Sequence, residues 1–230
     1  MEFGGLQKLT LLDFPGRVAC TVFTKGCNLR CPFCHNAGLV LPGAEQPPVT
    51  KDELFAFLAS RRGVLEGVAV TGGEPLLQPW MADFLREVRE LGFATKLDTN
   101  GTFPDRLRAV LEAGLCDYVA MDIKNSPERY GLTVGVPRFD LAPILESVEL
   151  LKGSGVPFEF RTTAVHGLHR TEDFDAIGRW LGPSVRYFIQ YFKDSGDLIV
   201  PGFEPLSAEE MDDALAAAKA HVPAAEIRGR

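Results

Sequence analysis

Short runs rich in β-branched and apolar residues alternate along this chain with longer stretches in which apolar positions recur every three or four residues. The short runs read as six strands: Val18–Thr24, Gly67–Thr71, Phe93–Asp98, Cys116–Ile123, Pro157–Val165 and Val185–Phe192. The longer stretches read as helices. Thr50 and Glu53 form a capping box ahead of Leu54, Phe55, Phe57 and Leu58, a helix running to about Arg62. Pro79–Leu91 carries Phe84, Leu85 and Val88 on one face, and Pro104–Ala113 stops at Gly114. Leu141–Lys152 ends at Gly153-Ser154-Gly155. Thr171 opens a helix with Phe174, Ile177, Trp180 and Leu181, and Ser207 with Glu210 caps a last one to Ala220. Residues 1–17 read as a lead-in with a turn at Asp13-Phe14-Pro15-Gly16. The prolines of 37–49 mark a loop, Ser126–Pro137 a polar connection, and 201–230 a closing loop and helix.

Strands alternating with helices predict an α/β fold with a parallel sheet and crossover helices. No linker divides 1–230, so one domain is expected. An open doubly wound sheet and a partial barrel fit the alternation equally. The net charge of −7 argues against nonspecific nucleic-acid binding. No apolar run reaches the roughly 18 residues of a membrane helix, and Met1–Thr10 has no signal-peptide pattern. No membrane partner and a cytoplasmic setting are expected.

Chemistry enters at Lys25–Asn36, where Cys27, Cys31 and Cys34 are spaced C-x3-C-x2-C. Thiolates are soft ligands that can converge on one metal centre. A structural zinc site takes four tight ligands, and His35 beside Cys34 is a strained fourth. A cubane iron–sulfur cluster normally takes four cysteines, so three leave one iron open. Cys20 and Cys116 read as small core residues, with a fourth-ligand role for Cys20 the lesser alternative.

Other candidates sit at strand ends. Gly72-Gly73-Glu74-Pro75 follows the second strand: glycines let a backbone approach a ligand, and Glu74 can hold a cation; a plain strand-to-helix turn is the alternative. Asp98 and Thr99 end the third strand, and Asp122 and Lys124 share a face of the fourth. Those two are a site pair or a solvent-side ion pair. An inward Arg161 needs a carboxylate partner or a ligand. His166 and His169 receive no role.

With Phe33 before Cys34, the loop resembles the C-x3-C-x-aromatic-C signature of the radical S-adenosylmethionine (SAM) superfamily, and Gly72–Pro75 resembles its G-G-E-P motif. The resemblance implies a partial (β/α)6 barrel. It implies a 4Fe-4S cluster on Cys27, Cys31 and Cys34, with SAM bound at the open iron and cleaved by one electron to methionine and a 5′-deoxyadenosyl radical. Gly72, Gly73, Glu74 and Pro75 would face the methionine amino group, and Asp122 and Lys124 would lie near SAM; Asp98 and Thr99, at a strand tip that points to a barrel mouth or closes an Asx turn at Gly101, and Arg161 are further candidates for cofactor contact. Asp122-Ile123-Lys124 resembles the D-x-K of glycyl-radical-enzyme activating proteins. Leu11–Arg17 and Phe23–Asn36 are similar to the subgroup that activates anaerobic ribonucleoside-triphosphate reductase. The implied partners are a glycyl radical enzyme as protein substrate and flavodoxin or ferredoxin as electron donor. A small-molecule enzyme resembling 7-carboxy-7-deazaguanine synthase and a non-catalytic iron–sulfur module are the alternatives. Pyruvate formate-lyase activases carry a late histidine that the Gln190–Phe192 region lacks.

Overall fold

In chain order the elements are β1 (Glu2–Phe3), β2 (Gly5–Thr10), β3 (Ala19–Thr24), α1 (Ala37–Val40), β4 (Val49–Thr50), α2 (Lys51–Ser60), β5 (Gly67–Gly72), α3 (Met81–Glu90), β6 (Ala94–Thr99), α4 (Pro104–Glu112), β7 (Tyr118–Asp122), α5 (Tyr130–Val134), α6 (Ala142–Gly153), β8 (Phe158–Ala164), α7 (Thr171–Leu181), β9 (Tyr187–Tyr191), α8 (Ala208–Lys219) and β10 (Ala225–Arg228). The structure is a computed structural model, which describes every residue except Pro42, 44–46, Pro137, Ser195 and Arg230. The loop expected at 37–49, the connection at 126–137 and the C-terminal segment at 201–230 lie outside the described residues at those positions.

The six expected strands are present, with ends shifted by one or two residues. With β2 and β10 they form one sheet in the order β2-β3-β5-β6-β7-β8-β9-β10. Every neighbouring pair is parallel except β2 with β3. The alternation therefore predicted the parallel core correctly, and two regions correct the reading. The lead-in holds β1 and β2, and the chain ends in a further strand, β10. Both were hidden by weak patterning: Gly5-Leu6-Gln7-Lys8 and Ala225-Glu226-Ile227-Arg228 have few β-branched residues. The loop expected after Ala37 contains α1 and β4, and β4 pairs with β1. The expected start of α3 at Pro79 moves to Met81, behind a 3-10 turn at Pro75–Leu77. Both capping boxes form: Glu53 N–H donates to Thr50 Oγ1 at 3.3 Å, and Glu210 N–H to Ser207 Oγ at 3.1 Å.

Strand side chains alternate between the two faces of the sheet. The outer face carries Val22, Val68, Val70, Leu97, Val119, Met121, Phe160 and Ile189, all fully buried in the main core. The inner face carries Thr21, Ala69, Lys96, Asp98, Ala120, Asp122, Arg161, Thr163 and Gln190. One cavity of about 430 Å³ is lined by Gln7 of β2, Gln190 of β9 and residues of all the strands between them. A flat sheet would hold β2 and β9 about 29 Å apart at roughly 4.8 Å per strand. The sheet must therefore curl into a partial barrel, with β2 and β10 as its open edges. Phe14 closes the lower interior against Ala19, Ala94 and Tyr118. Gly67 permits this, since a Cβ there would stand 2.8 Å from the Phe14 ring. No helix among the described residues is long and apolar enough to cross a membrane.

Candidate active site

The cysteine loop leaves β3 and is braced from three sides. Gly26 N–H donates to Leu39 O at 2.7 Å, Arg30 N–H to Val134 O at 2.9 Å, and Val200 N–H to Pro32 O at 2.9 Å. Gly135, at φ 65°, ends α5 against the loop; a Cβ there would stand 2.1 Å from Arg30 O. Phe33 is buried and meets His169, Phe192 and Phe203 edge-on. The aromatic position is thus the anchor that lets Cys31 and Cys34 face the cavity. Cys27 Sγ accepts from Leu29 N at 3.4 Å and Asn100 Nδ2 at 3.7 Å.

Cys27, Cys31 and Cys34 line the same cavity. Burial pushes the Cys31 thiol up to about 12 and raises Cys27, while Lys124 pulls both down. Loading a metal here therefore displaces protons. Among the described residues, no three His, Cys, Asp or Glu side chains form a ligand shell for a single ion. Thiolates that each take a different iron of a cubane do not need that closeness. The donor set fits an iron–sulfur cluster better than lone zinc. Cys20, on the outer face of β3, and Cys116 are both buried in the core and line no part of this cavity.

Gly72-Gly73 packs against the entry to the cysteine loop. Gly73 N–H donates to Thr24 O at 2.9 Å, and Glu74 N–H to Gly26 O at 2.8 Å. A Cβ on Gly73 would stand 1.9 Å from Gly26 O, so this glycine is demanded by loop-on-loop contact. Glu74 and Pro75 are buried. Glu74 accepts from Leu76 N at 2.9 Å, Thr99 Oγ1 at 2.8 Å and Asn100 N at 2.7 Å. Burial pushes its carboxyl up to about 7, with those three donors pulling down. Glu74 and Thr99 thus fasten the glycine turn to the tip of β6, at the cavity wall.

Register assembles the charged wall. Asp122 of β7 lies opposite Arg161 of β8. Arg161 Nε donates to Asp122 Oδ1 at 3.0 Å, and its Nη1 reaches Asp98 Oδ2 at 3.2 Å. That reach crosses β7 at Ala120, which faces Asp98 and carries only a methyl. Lys124 Nζ donates to Asp122 Oδ2 at 3.0 Å, and Lys96 pairs with the other Asp98 oxygen. Asp122 and Lys124 are partly exposed, but to the cavity rather than to the outer surface. Burial opposes ionisation of Asp122, yet Arg161 and Lys124 hold its carboxyl well below the usual range. Burial likewise pulls the Lys124 ammonium down, but Asp122 raises it further. Of these charged groups Asp98, Asp122, Lys124 and Arg161 line the cavity, so both the Lys124 ammonium and the Arg161 guanidinium are presented to a ligand there.

The predicted residues thus come together around one cavity; Pro75 and Thr99 serve its frame. Sequence reasoning missed Lys96, only 2% exposed, although a charged residue two before Asp98 in a strand was visible. It also missed Asn100, Asn36, whose Nδ2 donates to Gly72 O at 3.2 Å, and cavity-lining Thr163 and Gln190; His35, weighed only as a strained zinc ligand, lines the cavity too. His166 is exposed beside Glu210. His169 is buried: its Nδ1 accepts from Val165 N–H at 3.1 Å, so Nε2 carries the proton it donates to Lys124 O at 2.8 Å. That bond ties the β8–α7 turn to the exit of β7.

A family model described as the radical SAM superfamily matches residues 21–181. A Methanocaldococcus jannaschii protein provisionally named a glycyl-radical enzyme activating enzyme is 33% identical over 203 residues, covering 84% of this chain and 81% of that one. The pyruvate formate-lyase-activating enzyme of Clostridium pasteurianum is 31% identical over 151 residues, 63% of this chain and 61% of that one. Among solved structures, Streptococcus suis SuiB bound to precursor peptide SuiA superposes with a TM-score of 0.67 at 15% identity, over 91% of this chain and 48% of that one. At that identity the likeness is one of fold.

Proposed function

The chain belongs to the radical SAM superfamily, and from that premise we propose that it activates a glycyl-radical enzyme, with anaerobic ribonucleoside-triphosphate reductase as the partner. It is an enzyme whose cofactors are a 4Fe-4S cluster and SAM. Together, when bound and reduced, they supply a 5′-deoxyadenosyl radical able to take a hydrogen atom from a backbone glycine. The observation that carries the reading is the convergence of three thiols, the Gly72-Gly73 turn and the Asp122–Lys124 pair on one cavity at the barrel mouth. The names of the two relatives support a protein substrate. The finer partner assignment rests on the likeness of Leu11–Arg17 and Phe23–Asn36 to that activase subgroup.

Within this reading Cys27, Cys31 and Cys34 hold the cluster. Lys124 offers its ammonium to the carboxylate of SAM, with Asp122 and Arg161 setting its position. Gly72–Pro75 and Thr99 shape the wall beside the methionine portion, and Asp98 keeps Arg161 in place. Flavodoxin or ferredoxin supplies the electron. The partner excludes water from the open mouth once it docks.

The test is anaerobic reconstitution with iron and sulfide, reduction with dithionite, and assay of 5′-deoxyadenosine and methionine beside Cys31→Ala. Wild type is expected to bind about four irons and cleave SAM, and the variant to do neither. Adding the reductase should then produce a glycyl radical signal by electron paramagnetic resonance. SAM cleavage that responds to a deazapurine precursor and never to a protein would overturn the partner assignment.

A further inference from the structure

A second groove of about 440 Å³ opens beside the cavity and shares Gln7, Phe23 and Asn36 with it. Its walls are Gly4–Gln7 on one side and Lys25, Gly38, Leu39 and Asp197 on the other. We propose that this groove receives an extended segment of the substrate polypeptide and leads it to the cavity, so that the reacting glycine sits where Gln7, Phe23 and Asn36 join the two. The proposal rests on the activase reading and adds to it the surface by which the partner enters.

Three observations favour a polypeptide as the occupant. The groove is continuous with the cavity through three shared residues, so an occupant of one reaches the other. Its wall at half-buried Gly5 carries no side chain, so a passing backbone can come close there, whereas the N–H groups of Gly4 and Gly38 are already bonded to Phe23 O and Asp197 Oδ2. The groove runs along the start of β2, an end strand of the sheet, and end strands present backbone groups to added chains.

The walls are held by contacts independent of the cluster. Asp197 crosses from the C-terminal loop, its Oδ2 accepting from Gly38 N–H at 3.0 Å and its main-chain oxygen from Ala37 N–H at 3.3 Å. Gly4 and Gly5 differ in a way that permits a clean test. A Cβ on Gly4 would strike Leu39 Cδ2 at 2.5 Å, whereas one on Gly5 would stand 3.7 Å from the Phe23 ring, an ordinary contact. A larger side chain at Gly5 therefore fills the groove without forcing the backbone.

The experiment uses reconstituted full-length enzyme and purified anaerobic ribonucleoside-triphosphate reductase, comparing wild type, Gly5→Leu and Asp197→Asn. Gly5→Leu is expected to lower the glycyl radical yield at least about tenfold through a raised KM for the reductase, as loss of an interface anchor does. Its partner-free SAM cleavage and iron content should stay within about twofold of wild type. Asp197→Asn, which removes a wall charge without adding bulk and keeps an oxygen for Gly38 N–H, should shift the same KM and also leave partner-free cleavage alone. An unchanged radical yield with both variants overturns the groove while the activase reading stands. If wild type cleaves SAM yet places no radical on the reductase, the activase reading fails and the groove falls with it. A dimer that Gly5→Leu converts to monomer, with radical yield unchanged, would make the groove a contact between copies and also overturn the proposal.

Discussion

Two arginines pair with carboxylates on the inner face of the sheet, and they do different things. Arg161 joins Asp98 to Asp122 at the mouth, where Lys96 and Lys124 add further cations and the cavity opens. Arg228 reaches from the last strand, lies over the Phe188 ring at 3.6 Å, and grips buried Glu159 with donors at 2.8 and 3.1 Å. Tyr118 OH donates to the same carboxylate at 2.8 Å. The second cluster's carboxylate is satisfied internally and lines no part of the cavity, so it fastens β10 to the barrel. Buried charge alone does not mark a site. An adjoining cavity, neighbouring thiols and cations presented to that cavity do.

The comparison can be broken by removing one member at a time. Arg161→Met should have the largest effect: two inner carboxylates lose a partner, costing about 3 kcal/mol of stability, and SAM binding should weaken with it. Chemical denaturation and equilibrium dialysis with labelled SAM check this. Arg228→Met should cost less, about 1–2 kcal/mol, because the arginine is about a third exposed to solvent. SAM affinity per folded molecule should stay within about twofold. A SAM-binding loss equal to that of Arg161→Met would erase the distinction. Lys124→Gln reverses the pattern: Arg161 still holds Asp122, so stability should move by no more than about 1 kcal/mol. SAM affinity should nonetheless fall about tenfold, the size of a lost charged contact.

The smallest effect is a pH dependence at His169. Burial lowers its pKa below the ordinary 6.5, and its Nδ1 already accepts from a backbone N–H, so the fold requires the neutral ring. A depressed folded-state pKa means full stability above pH 6.5, lost as pH falls through the window below it. Melting temperatures of wild type and His169→Gln between about pH 5 and 8 should converge toward acid. Parallel curves would show that the imidazole carries no proton linkage.

Much of this was legible locally. Thr50–Glu53 and Ser207–Glu210 announced their helices because a capping box is complete within four residues. The cysteine spacing announced a cluster loop for the same reason. β2 and β10 were not legible, because their few apolar residues are stabilised by neighbours far along the chain: β3 for one, β9 for the other. Glu74 was read as a free acceptor because nothing nearby revealed that Thr99 and Asn100 would occupy its oxygens. His169 carried no signal at all, since its partner is Lys124, 45 positions earlier.

By itself, the sequence determined the alternation of strands and helices, the three thiols on one loop, and the side of each strand on which a charge would stand. These follow from periods of two and 3.6 residues and from short spacings, which are properties of a few neighbouring positions. The tertiary structure alone decided which strands became neighbours. Asp98 and Arg161, 63 positions apart, meet because β7 lies between their strands and presents Ala120 where a larger side chain would part them. The same curl turned one face of the sheet into hydrocarbon core and the other into a charged cavity. Strand order and curvature arise from packing the whole outer face at once, and no local stretch contains that information.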